Sequence, residues 1–301
     1  LAFPEPSMLF VSTCRDEEST PVTLADAAIH GYAQDGAMYW PQEPPTLDTQ
    51  QLRALAHTPY PTLVASILKL FAQPSDERLP HAAIDRICAT AFDSFDSPDT
   101  LELATVADGT RVLELWHGPT LAFKDLGMAV LARVLAHLAL ERRRPLTLLV
   151  GTSGDTGSSA MEAVRDVAGL RICVLYPLRG FSAITPVQEA QMVRVAREAP
   201  NVHLIGVEGT SDDLDEPIEA CFRDTAFCAR HQLGSVNSVN VIRLVVQAAH
   251  VARCRRPGER RGLRQILELS PRAPAAPAAE ISTTGTNECR RPHPTCVPIE
   301  S

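Results

Sequence analysis

Lysine is almost absent from this sequence of 301 residues, which has 28 lysine and arginine residues together but only two lysines, Lys69 and Lys124. Arginine therefore carries the general positive charge. A guanidinium stays protonated at ordinary pH, whereas a desolvated lysine amine can lose its proton and react with an aldehyde. A lysine in an apolar segment is thus a candidate for amine chemistry. The ordinary alternative is a surface lysine in the first turn of a helix.

Long apolar runs are also missing, so the sequence predicts no membrane-spanning helix. The formal net charge of −8 argues against a nucleic acid or an acidic membrane surface as the main partner. Residues 1–12 lack the basic start and the apolar centre of a signal peptide, which favours the cytoplasm. Because the sequence begins with Leu1 rather than Met, import into an organelle stays open.

Paired cysteine motifs are a third absence. The eight cysteines include no C-x-x-C pair, and several lie in apolar runs, which is typical of reduced thiols in a reducing compartment. Cys289, His293 and Cys296 lack a fourth ligand and lie in a proline-rich segment. The sequence therefore predicts no metal site.

Three regions of different character divide the chain. We predict a small, mainly helical accessory domain over residues 1–96, a larger domain over 97–251 and a disordered tail, rich in arginine and proline, over 252–301. In the middle region, short apolar strands alternate with amphipathic helices. This alternation predicts the α/β class, with a mostly parallel sheet and covering helices, and such sheets bind ligands at the carboxyl ends of their strands.

The individual elements follow from the same patterns. The predicted strands are 111–115, 146–152, 171–177, 202–208 and 234–237. The predicted helices are 23–30, 52–57, 61–71 and 81–93 in the first region, then 125–140, 158–168, 186–198, 214–230 and 240–251 in the second.

The segment from His117 to Asp125 contains the candidate lysine. A glycine and a proline make a turn, Phe123 supplies an apolar wall, and Lys124 opens the predicted helix. Burial beside an aromatic ring would lower the pKa of the amine and favour its nucleophilic form. Asp125 fits the start of a helix, where the helix dipole favours a carboxylate.

A glycine-rich turn from Gly151 to Gly157 follows one predicted strand and precedes a helix. Its glycines allow close approach of a ligand to the backbone, and N–H groups at a helix start attract an anion. The turn is neither a P-loop nor a G-x-G-x-x-G fingerprint. A tight turn without a ligand remains the alternative, but the candidate lysine nearby in the sequence favours a binding role.

A third polar segment, from Asn237 to Asn240, follows the last predicted strand. Two amides and a hydroxyl there indicate either ordinary capping of the next helix or contact with a substrate.

Together these segments resemble threonine synthase and the threonine synthase-like proteins, which are pyridoxal phosphate enzymes of the tryptophan-synthase β type. The run from Gly31 to Gly36, followed by Tyr39-Trp40-Pro41, is similar to the N-terminal signature of the family. The segment from Val207 to Asp215 also resembles the family. The resemblance covers residues 7–251, with residues 97–251 as the first part only of the catalytic domain.

The resemblance implies a reaction and a set of site residues. Lys124 would form a Schiff base with pyridoxal 5'-phosphate and move protons while O-phospho-L-homoserine and water become L-threonine and phosphate. Phe123 and Asp155 would contact the cofactor. The implied substrate-binding residues are Ser153, Gly154, Thr156, Asn237, Ser238 and Asn240.

Two departures from the family pattern leave alternatives open. The family's loop for the cofactor phosphate has no counterpart after Asn240, and Val241 stands where the family commonly has an aromatic residue. The main alternative is therefore a non-catalytic relative that acts through protein contacts. A related phospho-lyase, or a serine/threonine dehydratase, remains within the enzyme class, although the segment from Gly31 to Pro41 argues against a dehydratase. The oligomeric state is left open.

Overall fold

A four-stranded parallel sheet forms the centre of the second half of the described chain. The computed structural model describes residues 8–14, 20–56, 58–106, 111–181 and 184–253. Two short antiparallel pairs, β1 with β2 and β3 with β4, lie outside the parallel sheet. The strands are β1 (Phe10–Ser12), β2 (Tyr39–Pro41), β3 (Glu102–Thr105), β4 (Arg111–Glu114), β5 (Leu146–Gly151), β6 (Leu170–Pro177), β7 (Val202–Val207) and β8 (Leu233–Ser235).

The helices surround this sheet and fill the N-terminal region. They are α1 (Leu24–His30), α2 (Thr49–Ala56), α3 (Tyr60–Phe71), α4 (His81–Thr90), α5 (Lys124–Glu141), α6 (Asp155–Val164), α7 (Pro186–Glu198), α8 (Asp215–Arg223), α9 (Thr225–His231) and α10 (Val241–Arg253). A 3-10 turn, Asp212–Leu214, precedes α8.

The strand order β7-β6-β5-β8, with every neighbouring pair parallel, confirms the predicted α/β class. Leu146, Leu148 and Val150 of β5 are buried, and the residues between them are half-buried, as expected for a strand whose two faces are both covered. Because β5 and β8 are parallel neighbours, the turns that follow them lie at the same edge of the sheet. The polar segments predicted as ligand-binding follow these two strands.

Helix α5 is the central helix of the described chain. Most of its residues are buried, because it is apolar on nearly all sides and contacts both the N-terminal helices and α10. Helix α10 also contacts α1, α2 and α3. The N-terminal helices therefore share their core with the elements that carry the sheet, and the domain boundary at residue 96 stays a prediction.

The predicted helix over 214–230 is wrong in one respect. The chain forms α8 and α9 instead, with a break at Asp224, whose extended backbone ends the first helix. The Asp224 carboxylate then accepts a hydrogen bond of 2.9 Å from the Phe227 N–H at the start of α9. Strands β1, β2 and β3 were not predicted, because runs of three or four residues are too short to show a period.

The predicted tail lies outside the described residues from 254 onward, and so do Cys289, His293 and Cys296. Across the helices that the structure describes, none combines the length and the apolar character needed to cross a bilayer.

Candidate active site

Lys124 is the first residue of α5 and lies against the turn that follows β5. Its Nζ is 3.6 Å from Oδ2 of Asp155 and 5.4 Å from the centroid of the Phe123 ring. The lysine side chain is 21% exposed and that of Asp155 is 44% exposed. The structure thus brings together the three residues predicted to contact one cofactor, with an amine that is mostly enclosed but still reachable.

Asp125 has a more specific role than the start of a helix. Its carboxylate turns back to accept hydrogen bonds from the Thr120 N–H at 2.8 Å and from Thr120 Oγ1 at 2.6 Å. The residue is only 2% exposed, and this burial raises the pKa of its carboxyl group against the opposing effect of the hydrogen bonds from Thr120 and Ser159. Asp125 therefore closes the loop that precedes Lys124 into a fixed shape.

Gly118 makes this closed loop possible. A Cβ atom at position 118 would lie 2.5 Å from both Cβ and Oδ2 of Asp125, so any side chain there would displace the carboxylate. Leu121, in the same loop, has a φ of 62° and is 66% exposed. A left-handed conformation at a branched, exposed leucine is a local cost that the surrounding hydrogen bonds must offset.

The turn after β5 is braced by a single hydroxyl group. Thr152 Oγ1 accepts hydrogen bonds from the Gly154 N–H at 3.0 Å and from the Gly157 N–H at 2.8 Å. Gly154 has a φ of 143°, a conformation open mainly to glycine. The backbone can therefore bend sharply from the strand into α6 beside Lys124.

This turn leaves backbone donors unused at the start of α6. Among the residues described, the N–H groups of Ser153, Asp155 and Thr156 have no hydrogen-bond acceptor. Ser153 is exposed, Thr156 is half-buried and Gly154 is buried. Unpaired N–H groups at a helix N-terminus form a favourable environment for a carboxylate or a phosphate.

Two glutamines of α7 hold the two loops together, and sequence reasoning missed both. Gln188 Nε2 donates to Asp155 Oδ1 at 2.6 Å, and Gln191 Nε2 donates to the Thr120 carbonyl at 3.1 Å. Their spacing of three places them on one face of the helix. That spacing is the only signal in the sequence, and it does not distinguish these side chains from a solvated helix face.

In the predicted turn at Asn237 to Asn240, both asparagine side chains already form hydrogen bonds within the protein. Asn240 is fully buried: its Nδ2 donates to the Ala28 carbonyl at 2.9 Å, and its Oδ1 caps the Ile242 N–H at 3.1 Å. Asn237 is half-buried and accepts from the Val239 N–H at 2.9 Å, while Ser238 is exposed. Contact of these three side chains with a substrate stays a prediction, and Asn240 clearly has a structural task.

Comparisons with known proteins now define the family. The family described as threonine synthase N terminus matches residues 9–92. Threonine synthase-like 2 of Rattus norvegicus is 43% identical over 229 residues, which cover 76% of this chain and 46% of the relative. The threonine synthase of Corynebacterium glutamicum is 34% identical over 249 residues, covering 81% and 50%. The chain belongs to the threonine synthase family.

Solved structures of threonine synthases share this fold. The PLP-bound enzyme from Brucella melitensis matches with a TM-score of 0.71 and 32% identity, over 88% of this chain and 53% of that chain. The yeast enzyme matches with a TM-score of 0.72 and 28% identity, over 83% and 50%. The chain spans about half the length of the curated relatives it matches.

The segment that matches the threonine synthase N terminus also contacts the site region. Gly31, with a φ of 73°, lies so close to the turn after β8 that a Cβ atom there would be 2.7 Å from Nδ2 of Asn237. Glycine at this position therefore has a steric reason, in addition to ending α1.

His117 fixes the other end of the lysine-bearing loop. Its Nδ1 lies 2.9 Å from Asp96 Oδ1 and its Nε2 lies 3.1 Å from Glu114 Oε2. Although partial burial opposes protonation, these carboxylates raise the pKa of the imidazole. Glu102 adds a third carboxylate. One of its oxygens, an oxygen of Glu114 and a ring nitrogen of His117 all lie within 4.8 Å of one another. Since the imidazole can donate to two of these carboxylates, an ion-pair network accounts for the cluster.

Proposed function

We propose that the chain carries the lysine-bearing part of a pyridoxal phosphate-dependent lyase, which converts O-phospho-L-homoserine and water to L-threonine and phosphate, or acts on a related phosphorylated amino acid. The observation that carries this proposal is the position of Lys124 Nζ, which lies at the carboxyl end of β5 between Asp155 and Phe123. Membership of the threonine synthase family and the PLP-bound relative from Brucella melitensis support it.

The residues present fit the proposed cofactor. A primary amine, an aromatic ring and a set of unpaired backbone N–H groups meet at one edge of the sheet. Gly154 stands where a side chain would collide, since a Cβ atom there would lie 2.6 Å from the Gln188 side chain. When bound, pyridoxal phosphate supplies an aldehyde for the amine and a ring that accepts electron density from the substrate.

Each residue has a proposed task that follows from its position. Lys124 Nζ would hold the proton removed from Cα of the amino acid and return it, because it is the one amine at this edge within the described chain. Asp155 would orient that amine, and Gln188 holds Asp155 through a hydrogen bond of 2.6 Å. The N–H groups of Ser153 and Thr156 would orient an anionic group of the substrate.

The near absence of lysine makes the test direct. Pyridoxal phosphate is added to the wild-type chain, to Lys124→Arg and to Lys69→Arg, and the visible absorption is recorded. Lys69 is a matched control, because it lies on α3 and pairs with Asp85. We expect a new absorption band with wild type and with Lys69→Arg, and none with Lys124→Arg. Borohydride reduction followed by mass spectrometry then locates the modified peptide.

The outcomes distinguish the proposed lyase from the non-catalytic alternative. Modification confined to the peptide with Lys124 would support the proposal, and release of phosphate from O-phospho-L-homoserine would then test the full reaction. A folded chain that forms no band, or an unchanged band in Lys124→Arg, would contradict it. The first of these results would favour the non-catalytic alternative, in which the chain acts through protein contacts.

A further inference from the structure

Two half-buried cysteines lie on the two sides of the break between α8 and α9. Cys221 is in the last turn of α8, and Cys228 is in the middle of α9. The Cys228 Sγ is 3.3 Å from the carbonyl oxygen of Cys221 and 3.5 Å from that of Phe222, so its thiol is directed at the end of α8. The break at Asp224 therefore brings together two free thiols that a continuous helix would hold about two turns apart.

A third thiol, that of Cys173, lies nearby on a more rigid element. Cys173 belongs to β6, which pairs with β5 on one side and with β7 on the other. The thiols of Cys173 and Cys228 both interact electrostatically with that of Cys221, so Cys221 has two candidate partners. Because hydrogen bonds hold the backbone of β6 on both sides, Cys173 has little freedom to reach the geometry of a disulfide. Cys228, on a short helix next to α8, is the better partner.

Helices α8 and α9 are weakly anchored. The structure describes every residue of both helices, and none of these residues is buried, whereas most residues of α5 are buried. Segments with few buried apolar contacts open locally at a low cost in free energy. A covalent bond between α8 and α9 would therefore change the behaviour of this region more than that of the core.

Helix α8 also covers the strand that leads to the candidate active site. A Cβ atom on Gly151, the last residue of β5, would lie 2.7 Å from Cδ1 of Ile218 and 3.5 Å from Cβ of Leu214. The turn beside Lys124 begins directly after Gly151. A helix α8 that lifts away from β5 therefore uncovers the start of this turn.

We propose that Cys221 and Cys228 form a reversible disulfide under hydrogen peroxide, and that this bond holds α8 on the end of β5. Peroxide first converts the Cys221 thiolate to a sulfenic acid and is itself reduced to water. The Cys228 sulfur then attacks the Cys221 sulfur, the S–O bond breaks, and a second water leaves. Two thiols thus lose two electrons and two protons, which one hydrogen peroxide takes up. A dithiol reductant reverses the reaction.

The order of these steps follows from the surroundings of Cys228. Burial, together with the charge of Asp224, raises the pKa of the Cys228 thiol, and its S–H donates to the Cys221 carbonyl. The thiolate is the form that peroxide attacks, so Cys228 is suited to the second step rather than the first. No step involves a cofactor, and the proposal is therefore independent of the proposed function.

The first test maps the bond in the whole chain after treatment with hydrogen peroxide. Remaining thiols are blocked with iodoacetamide, and the unreduced chain is digested with trypsin. Cleavage after Arg223 places Cys221 and Cys228 on separate peptides, so the disulfide appears as a linked pair in mass spectrometry. We expect this pair in wild type and in Cys173→Ser, and its absence from Cys221→Ser, from Cys228→Ser and from wild type reduced with dithiothreitol.

The second test measures hydrogen exchange of residues 146–157 before and after oxidation. We expect exchange to slow by about threefold or more in the oxidised wild type, because the linked helices open less often. Dithiothreitol is expected to restore the original rate. Cys228→Ser treated with peroxide is the control and is expected to keep the rate of the untreated chain.

Three results would overturn the proposal. They are a peptide pair that links Cys173 to Cys221, free thiols at Cys221 and Cys228 after the exposed Cys14 has been oxidised, and an unchanged exchange rate in the linked chain. The mapping of wild type decides the question even if a serine variant does not fold. Lys124→Arg is expected to form the same disulfide, which distinguishes this proposal from a failure of the proposed function.

Discussion

The turns after β5 and β8 lie at the same edge of the sheet, but their main contacts differ in range. The turn after β5 is braced chiefly from within, by the hydroxyl of Thr152 and two N–H groups at most five residues away, while Gln188 adds a bond to Asp155 from α7. The turn after β8 is held from outside, because Asn240 donates to Ala28 across 212 residues of sequence. In the turn after β5, the bonds to Thr152 leave other backbone N–H groups free to bind a ligand. In the turn after β8, the side-chain amide of Asn240 is used up in a hydrogen bond that stabilises the fold.

The largest effect is expected at the turn after β8. Asn240→Ala removes the cap of Ile242 and leaves the buried carbonyl of Ala28 without its donor. Together these losses amount to about 3 to 4 kcal/mol of the free energy of unfolding. Urea denaturation measures this value.

Ser238→Ala is the matched control, because Ser238 belongs to the same turn but is exposed. Its free energy of unfolding is expected to stay within about 0.5 kcal/mol of wild type. Equal stability of Asn240→Ala and wild type would show that Asn240 is not structural and would remove the contrast between the two turns.

A pH effect of similar size belongs to the helix that follows the same turn. Burial against Tyr60, together with the positive charge of Arg243, lowers the pKa of His250 to about 4, against an ordinary value of 6.5. Between these values the unfolded chain binds a proton that the folded chain excludes. The stability associated with His250 is therefore complete above pH 6.5 and falls by about 3 kcal/mol as the pH decreases to 4.

The variant His250→Leu tests this assignment, because a chain without the imidazole loses that part of the slope. Denaturation midpoints at several pH values between 4 and 7 provide the measurement, with His203→Gln as a control for an exposed histidine. If His250→Leu kept the slope of the wild type, other groups would be responsible for it.

The smallest effects are expected at the turn after β5. Thr152→Val keeps the side-chain shape but leaves the Gly154 N–H without its acceptor oxygen. The Gly157 N–H loses the shorter of its two hydrogen bonds and keeps the one to the Gly154 carbonyl, and the total cost is about 2 kcal/mol. Ser153→Ala, in the exposed part of the same turn, is expected to cost under about 0.5 kcal/mol.

Chemical denaturation of these two variants sharpens the comparison of the turns. A loss at Ser153→Ala as large as that at Thr152→Val would mean that the turn is not braced by one hydroxyl. A large loss at Thr152→Val alone would show that its stability is local, in contrast to the turn after β8.

The sequence predicted the elements whose signals are local. Helix α7 was predicted with its observed bounds, and the structure shows a local reason for its start: Thr185 and Gln188 form a capping box, and proline occupies the first helical position. Lys124 was identified because lysine is so rare here. The break at Asp224 was missed because the apolar pattern continues through it, and only the carboxylate that caps α9 marks the boundary.

The rest of the site could not be predicted, because it depends on tertiary contacts. From the sequence, Asn240 could be either a helix cap or a substrate contact. Only the hydrogen bond to the Ala28 carbonyl, which depends on the fold, favours the structural role. Gln188 and Gln191 resemble any exposed helix face until the loops they bind are placed beside them.

Contact between the ends of the described chain has a consequence for synthesis. Helix α10 completes the core around α1 and α3, and the Arg253 side chain donates to the Thr58 carbonyl across 195 residues. A ribosome adds roughly 5 to 20 residues per second, so the first helices wait about 10 to 40 seconds for this partner. During that interval their apolar faces are open to chaperones. The N-terminal segment, although made first, is therefore among the last parts of the molecule to reach its final packing.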